Sequence, residues 1–211
     1  MPDNKPANAV ARAHSGIRDA ILRGEFAPGT MLSESSLAAS MSMSRTPVRA
    51  ALGRLQDEGF VTIYPQRGAL VRAMTADEVR ESAQVRHALE LAGVQLAGPA
   101  ARARLGEQLA ENLDRQERAL RDGDLPEFAT VSLSFHRAFV ELSNNATMLS
   151  FYDRLRDRQY LSILRSAPTL THDPDRILAE HRGLLADAQA GDWVAFARDL
   201  RDHQSNAHDL E

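Results

Sequence analysis

Apolar residues recur at helical spacing over most of this chain, and only one stretch has the texture of a sheet. Over residues 8–23, Val10, Ile17, Ile21 and Leu22 fall broadly on one side of a helix, closed by turn chemistry at Gly24, Pro28 and Gly29. Ser33 reads as the N-cap of a short helix over residues 34–40, anchored by Leu37. A further helix is predicted over 45–58, with Pro47 tolerated in the first turn because no amide donor is needed there. The β-branched and aromatic run 60–64, a turn at Pro65-Gln66-Arg67-Gly68 and a return run 69–71 predict a hairpin. Three helices followed by a hairpin is the order of a winged helix-turn-helix, assigned here to residues 8–74. Residues 1–7, polar with two prolines, are expected to be a disordered tail.

After Met74 the pattern is helical throughout. Thr75 and Glu78 have capping-box spacing and open a long helix to about residue 101. Further helices are predicted at 105–122, 126–143, 147–165, 175–190 and 193–208, separated at Gly123-Asp124, Asn144-Asn145, 167–174 and Gly191-Asp192. Residues 75–211 are therefore expected to form an all-α bundle of about six helices, and the fold class is mainly α.

Composition and charge sharpen this picture. There is no cysteine, which removes disulfides and thiolate metal ligands and fits a reducing cytoplasm. No apolar run approaches a membrane span and the first residues lack a signal-like core, so a cytoplasmic protein without a membrane partner is expected. The net charge of −4 hides an asymmetry. Residues 1–74 carry 9 Lys and Arg against 6 Asp and Glu, whereas residues 75–211 carry 16 against 23. A basic module joined to an acidic one is what results when only one part meets phosphate, although an excess this small decides nothing alone.

On a helical wheel over 45–58, Val48, Ala51, Leu52 and Leu55 share one side, and Arg45, Thr46, Arg49, Gly53 and Gln56 another. An ordinary solvated face has that composition too. The short capped helix before it and the Gln66-Arg67-Gly68 hairpin tip after it favour a DNA-reading helix, in which Arg donates twice to guanine and Thr meets a phosphate or a thymine methyl. The segments IRDAILRGEFAPGTMLSESSLA, SRTPVRAALGRLQDEGFV and PQRGALV, spanning residues 17–71, resemble the winged helix-turn-helix of the GntR family of bacterial regulators. The resemblance implies a double-stranded DNA partner, with Arg45 and Arg49 reading base edges and Ser44 and Thr46 on the backbone. It also implies that Arg67 and Gly68 carry the wing toward the minor groove, with Gln66 at its tip. Ser35 departs from the Arg frequent at that place in the family, which removes one contact made by relatives.

Three of the seven histidines lie on or beside apolar stripes. His136 accompanies Phe128, Val131, Phe135, Phe139 and Leu142, with Ser132 one turn earlier. His181 sits among Ile177, Leu178, Leu184, Leu185 and Ala188, and His203 among Trp193, Phe196, Leu200 and Ala207. A lone inward histidine is usually a hydrogen-bonded core residue. Three on three helices are costly to desolvate unless something common satisfies them, and a divalent transition metal does so. His14, His87, His172 and His208 are expected to face solvent.

The segments VRHALE (85–90), SLSFHRAF (132–139), EHRGLLADAQAGD (180–192) and RDH (201–203) resemble the FCD domain of the FadR subfamily, an all-helical ligand-binding domain. Metal-binding members place Asp or Asn four residues before the first histidine, where this chain has Ser132, a weak neutral ligand. Three outcomes stay open: a His136, His181, His203 site for zinc, nickel or manganese completed by water or effector, a weaker site, or no metal. Arg86, on a stripe with Val79, Ala83, Gly93, Val94 and Ala97, is expected either to clamp a carboxylate effector, with Ser132 lining the same cavity, or to pair with Glu90 one turn on. A second apolar stripe on that helix, Val85, Leu89 and Leu96, predicts a homodimer. The function implied is a non-enzymatic, effector-controlled repressor on a palindromic operator. The alternatives are a metal-dependent enzyme using the three histidines and a structural DNA-binding dimer without a ligand.

Overall fold

In the computed structural model, which describes residues 6–166 and 172–208, the chain opens with helix α1 (Pro6–Leu22). Pro6 and Ala7, expected in a disordered tail over residues 1–7, belong to this helix; residues 1–5 lie outside the described residues. Ala13, Ile17, Ala20 and Ile21 of α1 are buried, and α1 packs on α3 (Arg45–Asp57), which buries Val48, Ala51, Leu52 and Leu55. Between them, α2 (Glu34–Ser40) is capped by the Ser33 hydroxyl, which accepts from Ser36 N. The hairpin pairs β2 (Val61–Tyr64) with β3 (Gly68–Val71), Thr62 opposite Leu70.

A third strand was not foreseen: β1 (Met31–Leu32) pairs with β3, giving the order β1-β3-β2 with Met31 opposite Leu70. Two residues are too few to show alternation, and the strand exists only because β3 offers it a free edge. Gly68 makes the approach possible. Its φ of 116° lies in the glycine region, and a Cβ there would meet the Leu32 carbonyl oxygen at 2.3 Å.

The contacts divide the chain between Ala73 and Met74, and the second unit contains seven helices among the described residues. Helix α4 (Ala76–Leu96) starts at the full capping box of Thr75 and Glu78. It stops before residue 101 because Pro99 lacks an amide donor and disfavours helical geometry at Gly98; Arg102 then donates to the freed Ala97 carbonyl at 2.8 Å. α5 (Pro99–Asp122) and α6 (Leu125–Glu141) follow. The expected helix over 147–165 is two, α7 (Ala146–Asp153) and α8 (Arg156–Arg165), bent where Leu155 N bonds Tyr152 O three residues back. α9 (Pro174–Ala190), capped by Asp173, and α10 (Trp193–His208) complete the unit. Of the break expected at 167–174, residues 167–171 lie outside the described residues.

α6 runs through the middle of this unit. Phe135 and Phe139 pack with Leu105, Leu109 and Leu113 of α5, Leu184, Leu185 and Ala188 of α9, and Phe196 and Leu200 of α10. α4 closes on α6 at Gly93, where an added Cβ would lie 2.2 Å from the Phe139 carbonyl oxygen. Because that obstacle is backbone, Gly93→Ala is expected to cost about 1–3 kcal/mol of stability by overpacking, measured by urea unfolding. An unchanged midpoint would show that α4 shifts freely on α6.

Candidate functional site

The close fit of α4 on α6 sets Glu90 beside His136, and α9 and α10 bring His181 and His203 to the same place. All three histidines are buried, and one ring nitrogen from each lies within 4.8 Å of the others. His203 Nε2 is 3.2 Å from His136 Nε2 and 3.3 Å from His181 Nε2. The opposite edge of every ring is held by an acceptor. His136 Nδ1 faces Glu90 Oε2 at 2.8 Å, His203 Nδ1 faces Glu180 Oε2 at 2.8 Å, and His181 Nδ1 faces Gln116 Oε1 at 2.5 Å. The Gln116 amide is itself oriented, since its Nε2 donates to Asn112 Oδ1 and Asn112 Nδ2 donates to the Val131 carbonyl.

These partners fix the tautomers. A carboxylate or amide oxygen only accepts, so each Nδ1 carries a proton and each Nε2 is turned inward, offering a lone pair wherever its ring is neutral. Burial, reinforced by His203, His136 and Arg86, pushes His181 well below the ordinary histidine range, which keeps it neutral. Three lone pairs at this spacing repel unless a cation or proton lies among them. A metal bound at about 2.0–2.1 Å in tetrahedral geometry separates neighbouring nitrogens by about 3.3–3.4 Å. The observed spacings fit that edge, so the residues suit a metal.

Arg86 and Glu90 do pair, with Nε to Oε1 at 3.1 Å, but not as the weak surface pair that i,i+4 spacing suggests. Both side chains are buried, and Tyr152 OH donates to the same Glu90 oxygen at 2.8 Å. Burial raises the Glu90 carboxyl despite the opposing pull of Arg86 and Tyr152. For Glu180, which is less enclosed, burial is again the largest single influence and acts upward, but His203, Asn206 and Arg176 together outweigh it, and its pKa is lowered. Ser132 is buried one turn before His136, on the helix that carries it.

Sequence reasoning missed Gln116, Tyr152 and Glu180 and undervalued Glu90. One signal was present: Gln116 continues the stripe Leu105, Leu109, Leu113, so a polar residue stood at a core position. Two histidines expected in solvent are engaged. His87 is half-buried with Nε2 2.8 Å from the Ala197 carbonyl, and His14 Nε2 lies 2.8 Å from Glu58 Oε2. His172 is exposed, and the His208 side chain is outside the described residues.

In the first unit, Ser44, Arg45, Thr46, Arg49, Gln66 and Arg67 are all exposed. Ser44 caps α3 by position without a side-chain hydrogen bond to the helix. Arg49 is gripped by Glu34, with Nε to Oε1 at 2.9 Å and Nη2 to Oε2 at 2.8 Å. Gln56 is drawn toward the hairpin, its Oε1 accepting from Ile63 N at 2.7 Å. Gln66 turns the wing tip at a φ of 63°. Gly68 is half-buried beneath β1, so packing alone accounts for a glycine there.

Comparison with known proteins agrees with this division. Residues 10–71 match the model of the bacterial regulatory proteins of the gntR family, and residues 81–206 match the FCD domain. The transcriptional repressor RspR of Escherichia coli is 28% identical over 89% of this chain and 82% of its own. A gluconate operon transcriptional repressor from Bacillus licheniformis is 30% identical, covering 97% and 90%. The crystal structure of a GntR transcriptional regulator from Rhodococcus sp. RHA1 superposes with a TM-score of 0.79 at 26% identity, covering 95% of each chain.

Proposed function

Because the chain belongs to the GntR family of bacterial regulators and carries an FCD domain behind its DNA-binding head, we propose that it represses transcription as a homodimer on a palindromic operator, and that a carboxylate metabolite, bound beside a divalent metal, controls its affinity for DNA. That it is a DNA-binding transcriptional regulator follows from the family. The finer reading rests on one observation, the three buried imidazoles whose Nδ1 edges are each locked by an acceptor while their Nε2 atoms converge.

His136, His181 and His203 would hold the metal, which supplies a Lewis-acidic position for an acid oxygen. Arg86 supplies the cationic donor: its Nε is spent on Glu90, but its buried Nη2 has no partner. An enzyme at this site needs a base next to the reacting centre, and Glu90 and Glu180 are each committed to a histidine Nδ1. A ligand-free scaffold leaves converging lone pairs and an unpartnered guanidinium nitrogen without a reason. In the Bacillus licheniformis relative the regulated operon is a gluconate operon, and gluconate is a carboxylate. A ligand changes operator affinity only by binding one arrangement of the protein better than another.

The dimer rests on α4, where Val85 and Leu96 are exposed and Leu89 is half-buried. Selection of bound fragments from random DNA by the full-length protein is expected to return inverted repeats. The double variant Val85→Glu, Leu96→Glu is expected to sediment as a monomer and to lose more than about tenfold in operator affinity, because each half-site then binds alone. A monomeric wild type at micromolar concentration, or single half-sites from the selection, would remove the dimer.

A further inference from the structure

We infer that Gln56 is a positioning residue, which sets the angle at which the wing leaves α3 and so lets wing and reading helix engage DNA together; this rests on the DNA-reading assignment of α3 and the wing given above. In the sequence Gln56 shares a side of α3 with Arg45 and Arg49, which makes it a candidate for the bases. Its Oε1 is spent elsewhere, on the Ile63 amide at 2.7 Å.

The free edge of the hairpin explains why that amide needs a partner. β2 ends the strand order β1-β3-β2, so one of its edges meets no strand. Along an antiparallel strand, residues turn their amide groups alternately toward the partner and away from it. Phe60 O accepts from Arg72 N, and Thr62 and Tyr64 stand opposite Leu70 and Gly68. Phe60, Thr62 and Tyr64 therefore face β3, and Ile63, one step out of phase, presents its N–H to the open edge. Gln56, in the last turn of α3, reaches that edge with its side chain.

The other ties between α3 and the hairpin sit at its root. Phe60 is buried, its N donates to the Leu55 carbonyl at 2.8 Å, and Arg72 Nη1 donates to the Gly59 carbonyl at 3.3 Å. Gln56 acts farther out, with Tyr64 the one strand residue between its bond and the turn that carries Gln66 and Arg67. From Phe60 to Gln66 the strand extends roughly 20 Å, so a tilt of about 10° at the root moves the tip about 3.5 Å, enough to break a hydrogen bond. β1 braces the opposite edge at Ala69 and Leu70, which leaves the β2 side to depend on one side chain. Because Gln56 is exposed, water replaces it at the Ile63 amide when it is removed, and stability changes little. The aim of the wing changes more, since helix and wing bind as linked modules whose joint affinity depends on reaching both grooves at once.

A double-mutant cycle tests this, by anisotropy titration of the full-length protein with the duplex recovered by selection from random DNA. Gln56→Met keeps the length and removes the acceptor. The pair Gln66→Gly, Arg67→Ala silences the tip, glycine suiting the φ of 63° at residue 66. The silenced wing is expected to lose at least about tenfold in affinity. Gln56→Met is expected to lose about three- to tenfold with the wing intact and less than about twofold with it silenced, at an unchanged urea midpoint. Gln56→Glu still accepts from Ile63 N, so it should keep the hydroxyl-radical protection of the minor groove that Gln56→Met loses, while guanine N7 protection by α3 persists in both. Equal losses in the two backgrounds would mean that Gln56 touches DNA itself and would overturn the positioning role. So would no loss in either background, or a wing footprint lost equally in Gln56→Glu and Gln56→Met. A silenced wing that binds as wild type does removes the wing from the DNA-reading assignment, and this inference with it, and leaves Arg45 and Arg49 to be tested separately.

Discussion

Full-length protein dialysed against zinc should retain about one ion per chain, and His181→Ala should retain none. His181 has 0% exposure, its Nδ1 is fixed by Gln116, and its Nε2 is one corner of the converging set. With two nitrogens left and Ser132 the nearby neutral oxygen, no adequate ligand set survives. Metal at a hundredfold excess over its Kd stabilises the folded chain by about 2.7 kcal/mol, so wild type should melt higher with zinc and the variant should not. Two companion variants separate ligation from mere packing. Gln116→Leu leaves all three nitrogens in place but frees the His181 ring, and is expected to weaken binding about 10–100-fold. Ser132→Asp restores an anionic oxygen one turn before His136 and is expected to strengthen binding. Elemental analysis and calorimetry give stoichiometry and affinity. A wild type that holds no ion at micromolar free zinc, nickel or manganese, or a His181→Ala variant that holds as much as wild type, would sink the metal assignment.

How much of this was legible beforehand depended on whether the information was local. Inward histidines could be placed from the stripes on their own helices, because Phe135, Phe139, Leu184 and Leu200 fix which face is buried. The acceptors behind them could not. Glu90 reaches His136 across 46 residues, Gln116 reaches His181 across 65, and Glu180 serves His203 rather than its neighbour His181. No spacing rule reports such pairings, since they arise from how α4, α5 and α9 dock. The same division explains the misplaced boundaries. Pro99 is a local breaker and marked the end of α4 in the sequence, although the helical pattern ran past it. The bend between α7 and α8 has no breaker at all, and Tyr152 beside it is anchored instead by its hydrogen bond to Glu90. The strand β1 likewise depends on a distant glycine, Gly68.

The DNA-facing surface was read from one helix, and the structure adds Glu34. Arg45→Ala and Arg49→Ala should each cost about 1–3 kcal/mol of operator affinity, with fold and assembly unchanged, because both side chains are exposed and absent from the core. The two arginines should nevertheless differ in their dependence on Glu34. In the free head Glu34 holds Arg49 by hydrogen bonds from Nε and Nη2. That contact holds the Glu34 carboxyl below its ordinary pKa and raises the Arg49 guanidinium, so both remain charged. To donate twice to a base, Arg49 must leave Glu34 or turn its remaining donors outward, and the carboxylate repels phosphate as the helix approaches. Glu34→Gln removes the charge while keeping the shape. It is expected to tighten binding to non-operator DNA and to steepen the salt dependence by about one phosphate contact. The ratio of operator to non-operator affinity should fall, since part of the cost of leaving Glu34 no longer discriminates between right and wrong bases. Anisotropy titrations of operator and scrambled duplexes from about 50 to 200 mM salt give both quantities. If Glu34→Gln lowers non-operator affinity, Glu34 acts by aiming Arg49 rather than by restraining it. If Arg45→Ala and Arg49→Ala both footprint the operator as wild type does, α3 is not the helix that reads the bases.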